Sequence, residues 1–359
     1  MTEWRDCKFG EIATFSYGKM PNKKNIVNCG YPIFSGYKIV GYYNSYMYED
    51  PQLIIVARGV GGTGDVKISP PKSYITNLSI IAEVHPGKAN KKFLYYYFKI
   101  NNLRELDSGS AQSQITINDL NNYCITLPPL PEQKAIAEVL SSLDDKIDLL
   151  TRQNKTLEDL AQAYFRKWFI EDIHNKICYK RFADVAEFSK GKKPREIIEE
   201  QRKGYVRQIL IDTFDTDKEY YTRPEGMIIS TETDILMVMD GASSGRVEIG
   251  FSGVVGSTIG MFRPKSDFKY PMFLYEFLKS NEEFIMDNTT GSAIPHADKK
   301  LIFELEIPYF QEEKIQEFEN FALVLFNKRQ NNRRQIRTLT KLRDTLLPKL
   351  ISGEIRVKM

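Results

Sequence analysis

Gly59-Val60-Gly61-Gly62-Thr63-Gly64 follows the apolar run Leu53-Ile54-Ile55-Val56 and matches GxGxxG literally. In a dinucleotide site that turn opens a helix whose N-terminus holds the pyrophosphate. Here Asp65-Val66-Lys67-Ile68-Ser69-Pro70-Pro71 follows, which is no long helix, and the matching stretch Gly241-Ala242-Ser243-Ser244-Gly245 breaks the pattern. Both stretches instead read as small-residue hairpin loops beside one arginine, Arg58 or Arg246. Such loops let a backbone approach a partner closely, or simply turn a hairpin. No GxxxxGKS or GxxxxGKT phosphate loop or HExxH helix is present, nor the Asn/Asp-Pro-Pro-aromatic tetrad of an amino-methyltransferase. Cys7, Cys29, Cys124 and Cys178 form no CxxC, and His85, His174 and His296 are isolated, so no metal site or disulfide framework is expected. The chain by itself does not read as an enzyme.

Residue types suited to binding are more numerous. Lys190-Gly191-Lys192-Lys193-Pro194-Arg195 is strongly basic, and Lys19, Lys23 and Lys24 hold the matching place earlier in the chain. Tyr31, Tyr37, Tyr42, Tyr43, Tyr46 and Tyr48 supply hydroxyls and flat faces between such residues. Basic and hydroxyl side chains on loops suit phosphate contacts, and amides such as Gln112 and Gln114 in Ser108-Gly109-Ser110-Ala111-Gln112-Ser113-Gln114 suit base edges. Taken singly, each lysine or tyrosine is as well explained by a solvated surface.

What positions these residues is a duplication. Phe15-Ser16-Tyr17-Gly18-Lys19 returns as Phe188-Ser189-Lys190-Gly191-Lys192 at an offset of 173, and Gly109-Ser110-Ala111 returns as Gly291-Ser292-Ala293 at 182. Such a period is far beyond the roughly 20–50 residues of a solenoid unit, so it marks a repeated domain. In each copy a mixed, aromatic-rich segment comes first. Leu53-Ile54-Ile55-Val56, Ser79-Ile80-Ile81-Ala82 and Asp234-Ile235-Leu236-Met237-Val238-Met239 read as strands, and Phe93–Phe98 and Phe273–Leu278 as helices packed on them. The fold class expected is α/β (mixed).

A breaker, Pro128-Pro129-Leu130-Pro131, then opens a heptad seam: Ile136, Leu140, Leu143, Ile147, Leu150, Asn154, Leu157, Ala161, Tyr164 and Trp168. Asn154 at a seam position either fixes register or is solvated at an imperfect seam. The second copy repeats the device with Ile315, Phe318, Ala322, Leu325, Ile336, Leu339 and Leu346, interrupted by Arg329, Asn332 and Arg343. Two such helices most simply bury their seams on each other as an antiparallel pair. The expected divisions are 1–127, 128–170, 171–305 and 306–359, with recognition domains in the first and third and helices in the second and fourth.

The 359 residues suffice for two cores, and 42% apolar with 27% charged residues describes a globular chain. No run of about 18 apolar residues would span a membrane, and the N-terminus lacks the apolar core of a signal peptide, so a cytoplasmic protein is expected. The net charge of +3 is uneven: +4 over 1–127, −1 over 128–170, −4 over 171–305 and +4 over 306–359. Any polyanion must be held by local patches.

Two segments carry a family resemblance. Leu127-Pro128-Pro129-Leu130-Pro131-Glu132-Gln133-Lys134-Ala135-Ile136-Ala137, followed by Leu143-Asp144-Asp145-Lys146-Ile147, resembles the central conserved helix of type I restriction-modification specificity subunits. Leu346-Leu347-Pro348-Lys349-Leu350-Ile351-Ser352-Gly353-Glu354-Ile355 resembles their C-terminal signature. The second proline-glutamine motif has drifted to Ile307-Pro308-Tyr309-Phe310-Gln311-Glu312-Glu313.

The resemblance implies a non-catalytic subunit whose two target recognition domains each read one half of a split double-stranded DNA site. The helices would set the spacing and dock two methyltransferase subunits, with restriction/translocase subunits joining through that core. S-adenosylmethionine, ATP and Mg would then be cofactors of those partners. The residues expected at DNA are Lys19, Arg58, Gln112, Ser113 and Gln114 in the first domain, and Lys192, Lys193, Ser244, Arg246 and His296 in the second. The helix interface is expected at Ile136, Leu140, Leu143, Ile147, Leu150, Asn154, Leu157, Ile336, Leu339 and Leu346. A coiled-coil adaptor with two protein-binding heads is the alternative from another class.

Overall fold

The structure is a computed structural model and describes residues 4–58, 62–107, 114–171, 178–216, 218–291, 293–309 and 312–357. It divides into two compact units, Met1–Ile147 with Thr338–Met359, and Asp148–Arg337. Each unit holds one head together with a length of both long helices.

In the first head the central sheet runs Ala13–Tyr17, Ser79–Val84, Leu53–Val56, Val66–Ile68, with every neighbour antiparallel. Leu53–Val56 is buried on both faces, as its unbroken apolar run requires. Leu53, Ile55, Ile80 and Ala82 join Phe93, Leu94 and Phe98 of helix Lys91–Ile100 in one core. Ile54 and Ile81, pointing the other way, meet Phe34 and Ile75 of a second sheet. That sheet runs Ile26–Val27, Ile39–Tyr43, Tyr31–Phe34, Tyr74–Ile75, and its last pair is parallel. Arg5–Lys8 pairs with Cys124–Leu127 and closes the head.

The second head repeats the frame. Its central sheet runs Ala186–Lys190, Ile259–Pro264, Ile235–Val238, Val247–Ile249. Its second sheet again has one parallel pair, Val206–Ile209 with Gly253–Val255, flanked by Tyr220–Thr222. The copies differ at the edges of this sheet: the first adds Ile26–Val27 beyond Ile39–Tyr43, whereas the second adds Ile229–Ser230 beside Gly253–Val255. Glu306–Tyr309 pairs with Cys178–Arg181, so this head closes at Tyr309 and not at the expected boundary of residue 305.

The repeated glycine in Ser-x-Gly-Lys has a steric cause. A Cβ on Gly18 would sit 2.1 Å from the Thr76 carbonyl oxygen, and one on Gly191 2.1 Å from that of Gly256. The chain crosses the parallel strand pair at this point, and the Lys19 and Lys192 amides donate to the Ile75 and Val255 carbonyls at 2.9 and 3.2 Å.

The long helices are Leu130–Arg166, ending in a π-helical turn at Lys167–Glu171, and Glu312–Ile351. In the first unit Ile136 and Leu140 are buried with Leu347 and Leu350 in the head's own core, and Leu346 packs at its edge. Leu143, Ile147, Leu157, Ile336 and Leu339 are half-buried, and Leu150 is buried. The polar interruptions are matched across the pair. In the first unit Arg343 donates to Asp144 at 2.8 Å, and Arg356 to the buried Glu132 at 2.7 Å. Within the second unit Asn332, fully buried, donates to Asn154 and Gln153 at 2.9 Å each, and Arg329 lies 3.4 Å from Glu158. In both units the numbering rises along one helix as it falls along the other, so the pair is antiparallel. Asn154 is thus partnered, which answers the question its seam position raised.

One matched helix position differs sharply. Tyr96 of the first head donates to Asp144 at 2.7 Å. Its counterpart Glu276 is buried, has a carboxylate oxygen with no hydrogen-bond partner, and lines a cavity of about 410 Å³ with Gln162, Phe165 and Lys279. Burial pushes the Glu276 carboxyl up to about 8, against the pull of Arg329. Glu319 caps helix Pro271–Ser280 by accepting from the Met272 and Phe273 amides, and burial pushes it up to about 7.

Two outcomes are expected. Asn332→Leu should cost on the order of 2 kcal/mol in denaturant unfolding, because the polar groups of Asn154 and Gln153 lose their donor. Adding Asn154→Leu should recover most of that loss; no recovery would show that the pair does not act as a unit. A raised carboxyl keeps its proton in the folded chain after the unfolded chain has released it, so stability from this source falls as pH rises from about 4.5 to about 8. Glu276→Gln should therefore match the native chain near pH 5 and exceed it in thermal stability at pH 8. A variant weaker at pH 8 would show that the carboxylate is paired.

Candidate nucleic-acid interface

The end of each central sheet gathers three chain segments. In the first head, Ala13–Tyr17 runs out into Gly18-Lys19 and Leu53–Val56 into Ala57-Arg58, while the chain after the polar loop returns at Gln114-Ile115. Backbone bonds fix the assembly: Gly18 N–H to Ser79 at 3.0 Å, Ala57 N–H to Leu78 at 2.9 Å, and Ile115 N–H to Ala57 at 3.1 Å. Arg58 and Gln114 form an isolated antiparallel bridge. Lys19 and Arg58 are exposed, and the Arg58 guanidinium has no partner among the described residues. Gln112 and Ser113 lie outside the described residues.

The second head builds the same arrangement. Gly191 N–H donates to Ile259 at 2.9 Å, Met239 N–H to Thr258 at 2.8 Å and Ala297 N–H to Met239 at 2.9 Å, and Asp240 bridges His296. Lys192, Lys193 and His296 are exposed here, with the Lys192 ammonium also donating to the Gly226 carbonyl at 2.9 Å. His296 Nδ1 lies 2.8 Å from one Asp240 oxygen and Lys190 Nζ 3.1 Å from the other. Partial burial pushes the Asp240 carboxyl up, but the bonds from His296 and Lys190 prevail and hold it below its ordinary value.

This superposition of bonding patterns corrects the sequence pairing of Arg58 with Arg246. The counterpart of Arg58 is Asp240, and Arg246 follows Gly245 as Asp65 follows Gly64. Gly64 and Gly245 mark the shared turn, each at positive φ (89° and 99°) with its amide bonded to Val56 or Val238. Arg246 is clamped between Asp215, with two bonds of 2.8 Å, and Glu248. Its guanidinium is spent inside the head, as Asp65 is spent on Arg104 at 3.0 Å. Ser244 is also internal: it is buried, and its hydroxyl lies 2.7 Å from the Gly241 carbonyl and 2.8 Å from that of Pro295. Arg246 and Ser244 therefore brace the loop through bonds within the head. The sequence reading names Lys190 within its basic stretch but not Asp240, although the offset of 182 applied to Arg58 lands on Asp240.

The tyrosines divide similarly. Tyr43 is buried against Tyr74 with ring centroids 4.2 Å apart, and Tyr48 bonds Glu83 at 3.1 Å, whereas Tyr37, Tyr42 and Tyr46 are exposed. The glycine loop is followed by strand Val66–Ile68 and not by a helix, so it cannot be a dinucleotide turn. Among the described residues no group of three or more His, Cys, Asp or Glu is arranged to hold a metal, and no helix is long and apolar enough to cross a membrane.

What each sheet end offers is a set of side chains on a frame held by backbone bonds: exposed cations with a half-buried amide in the first head, exposed cations and an imidazole with a half-buried carboxylate in the second. Known proteins share the frame. A structure of the S subunit of a type I restriction-modification system from Mycoplasma genitalium superimposes with a TM-score of 0.73 over 99% of this chain and 96% of that one, at 21% identity. The MjaIX type I restriction enzyme specificity subunit of Methanocaldococcus jannaschii is 28% identical over 303 positions, covering 74% of this chain and 69% of that protein. The HindI specificity subunit of Haemophilus influenzae is 25% identical, covering 72% and 74%. The family model described as type I restriction modification DNA specificity domain matches twice, at residues 1–159 and 175–333. With two such domains filling most of its length, the chain belongs to the type I restriction-modification specificity subunit family.

Proposed function

We propose that each head reads one half of a bipartite double-stranded DNA target and that the chain itself catalyses nothing. The observation that carries this reading is the matched sheet end, Lys19, Arg58 and Gln114 in one head and Lys192, Asp240 and His296 in the other: the same frame with different tips. Identical readers would read a repeated half-site, whereas different tips on one frame read two different halves. Lysines at the rim supply phosphate contacts, which give affinity without sequence, and the side chains between them meet base edges.

The antiparallel helices act as the spacer and as the docking surface for two methyltransferase subunits, with restriction/translocase subunits joining that assembly. S-adenosylmethionine, ATP and Mg serve those partners, and the complex works in the cytoplasm. The matched polar pairs support the spacer role, because they tie the helices at one register.

Binding of the assembled complex to duplex DNA should weaken linearly with log salt. Lys19→Ala and Lys193→Ala should each lower that slope by about 1 while leaving base preference intact. Affinity independent of salt would favour a protein-binding adaptor. Inserting one heptad into each helix beside Asn154 and Asn332 preserves the seam and adds about 10 Å at 1.5 Å per residue. The spacer of the methylated target should then lengthen by about 3 bp at roughly 3.4 Å per step. An unchanged spacer would defeat the ruler role.

A further inference from the structure

We propose that Arg58 and Asp240 occupy one base-reading position in the two heads and select bases of opposite hydrogen-bond character. Arg58 takes a guanine through its O6 and N7 acceptors, and Asp240 takes the exocyclic amino group of a cytosine or adenine. The inference rests on the DNA reading proposed above and adds which positions read and what they demand.

The equivalence of the two residues is geometric. Each follows the residue that extends a fully buried strand, Leu53–Val56 or Ile235–Val238. Each preceding residue, Ala57 or Met239, donates to the turn before the neighbouring strand and accepts from the returning loop. Each residue itself forms an isolated antiparallel backbone bridge with the returning residue, Gln114 or His296. The rigid strand beneath and these bonds hold both side chains at the sheet end, as a reading position requires.

Their chemistry is opposite. Arginine presents only donors, in a fork that matches the paired acceptors of guanine. With no partner among the described residues, the fork of Arg58 is available. An ionised carboxylate presents only acceptors, about four lone-pair sites in all. Asp240 uses one on Lys190 and one on His296, which fix its plane and keep it ionised, and leaves the rest. A carboxylate near phosphates is normally repelled. Lys190 against it, with Lys192 and Lys193 further along the same segment, offsets that repulsion, so the net charge of −4 over 171–305 does not forbid binding.

The test is selection from a duplex library, randomised in both half-sites, by the complex of the full chain with its methyltransferase subunits. The native chain should select a guanine at one position of one half and a cytosine or adenine at one position of the other. Arg58→Gln should lose about 10–100-fold of the guanine preference and turn it toward adenine, which glutamine pairs well, with the other half unchanged. Asp240→Ala, which removes the acceptor, should lose its preference by a similar factor in the other half alone. A changed preference is a gain that misfolding does not produce. Uniform weakening across all sequences by Arg58→Gln, or an unaltered preference with Asp240→Ala, would overturn the proposal. Absence of any split-site preference in the native complex would instead sink the DNA reading itself.

Discussion

In each unit the head and its length of the helix pair bury a common core, and that shared burial fixes the head on the helices. In the first unit Ile136, Leu140, Leu347 and Leu350 share a cluster with Phe9, Leu53 and Phe93. In the second, Phe165, Phe169, Phe318 and Phe326 share one with Phe182, Met237 and Phe273. Phe169 lies within about 5.5 Å of both Phe273 and Phe318, ring to ring. A helix joined only by a linker would leave its head free to turn. Helices that supply part of the core leave no such freedom, because interiors are close-packed and any rotation opens voids.

The same helices carry a second, more selective set of contacts. Glu132 is buried and ends against Arg356, while Gln133 bridges the Pro128 carbonyl and the Asn90 amide at 2.9 Å each. The motif that opens the central helix therefore stitches helix to head. Further along, the seam positions Arg343, Asn154 and Asn332 are polar, Arg343 bonded to Asp144 and Asn332 to Asn154. Such pairs add little stability over well-packed apolar side chains, but slipping one helix along the other strands each of them. They favour one register over its neighbours, which is what a spacer of fixed length needs.

Much of this was legible in the sequence because it depends on period and on backbone sterics. The duplication, the mixed α/β heads, the two long helices and their antiparallel pairing follow from repeat offsets, bounded apolar runs and heptads. Gly18 and Gly191 advertise a close approach that only glycine permits. What the sequence hid depends on tertiary partners. Arg246 looks like a free arginine beside a small-residue loop until Asp215, distant in the chain, is seen to clamp it. Ser244 looks like a loop-tip hydroxyl until Pro295 packs over it. The unlike edges of the second sheets hang on two-residue strands, too short to leave a periodic signal.

On the proposed reading the two heads are readers cut from one frame and made different at their tips, each welded to its share of a registered helix pair. Its most direct test replaces residues 178–309, the second head, with the matching head of another specificity subunit and maps methylated adenines in cells carrying the partner subunits. The account predicts a new sequence in one half of the target, with the other half and the spacer retained. A change in both halves, or in neither, would contradict it.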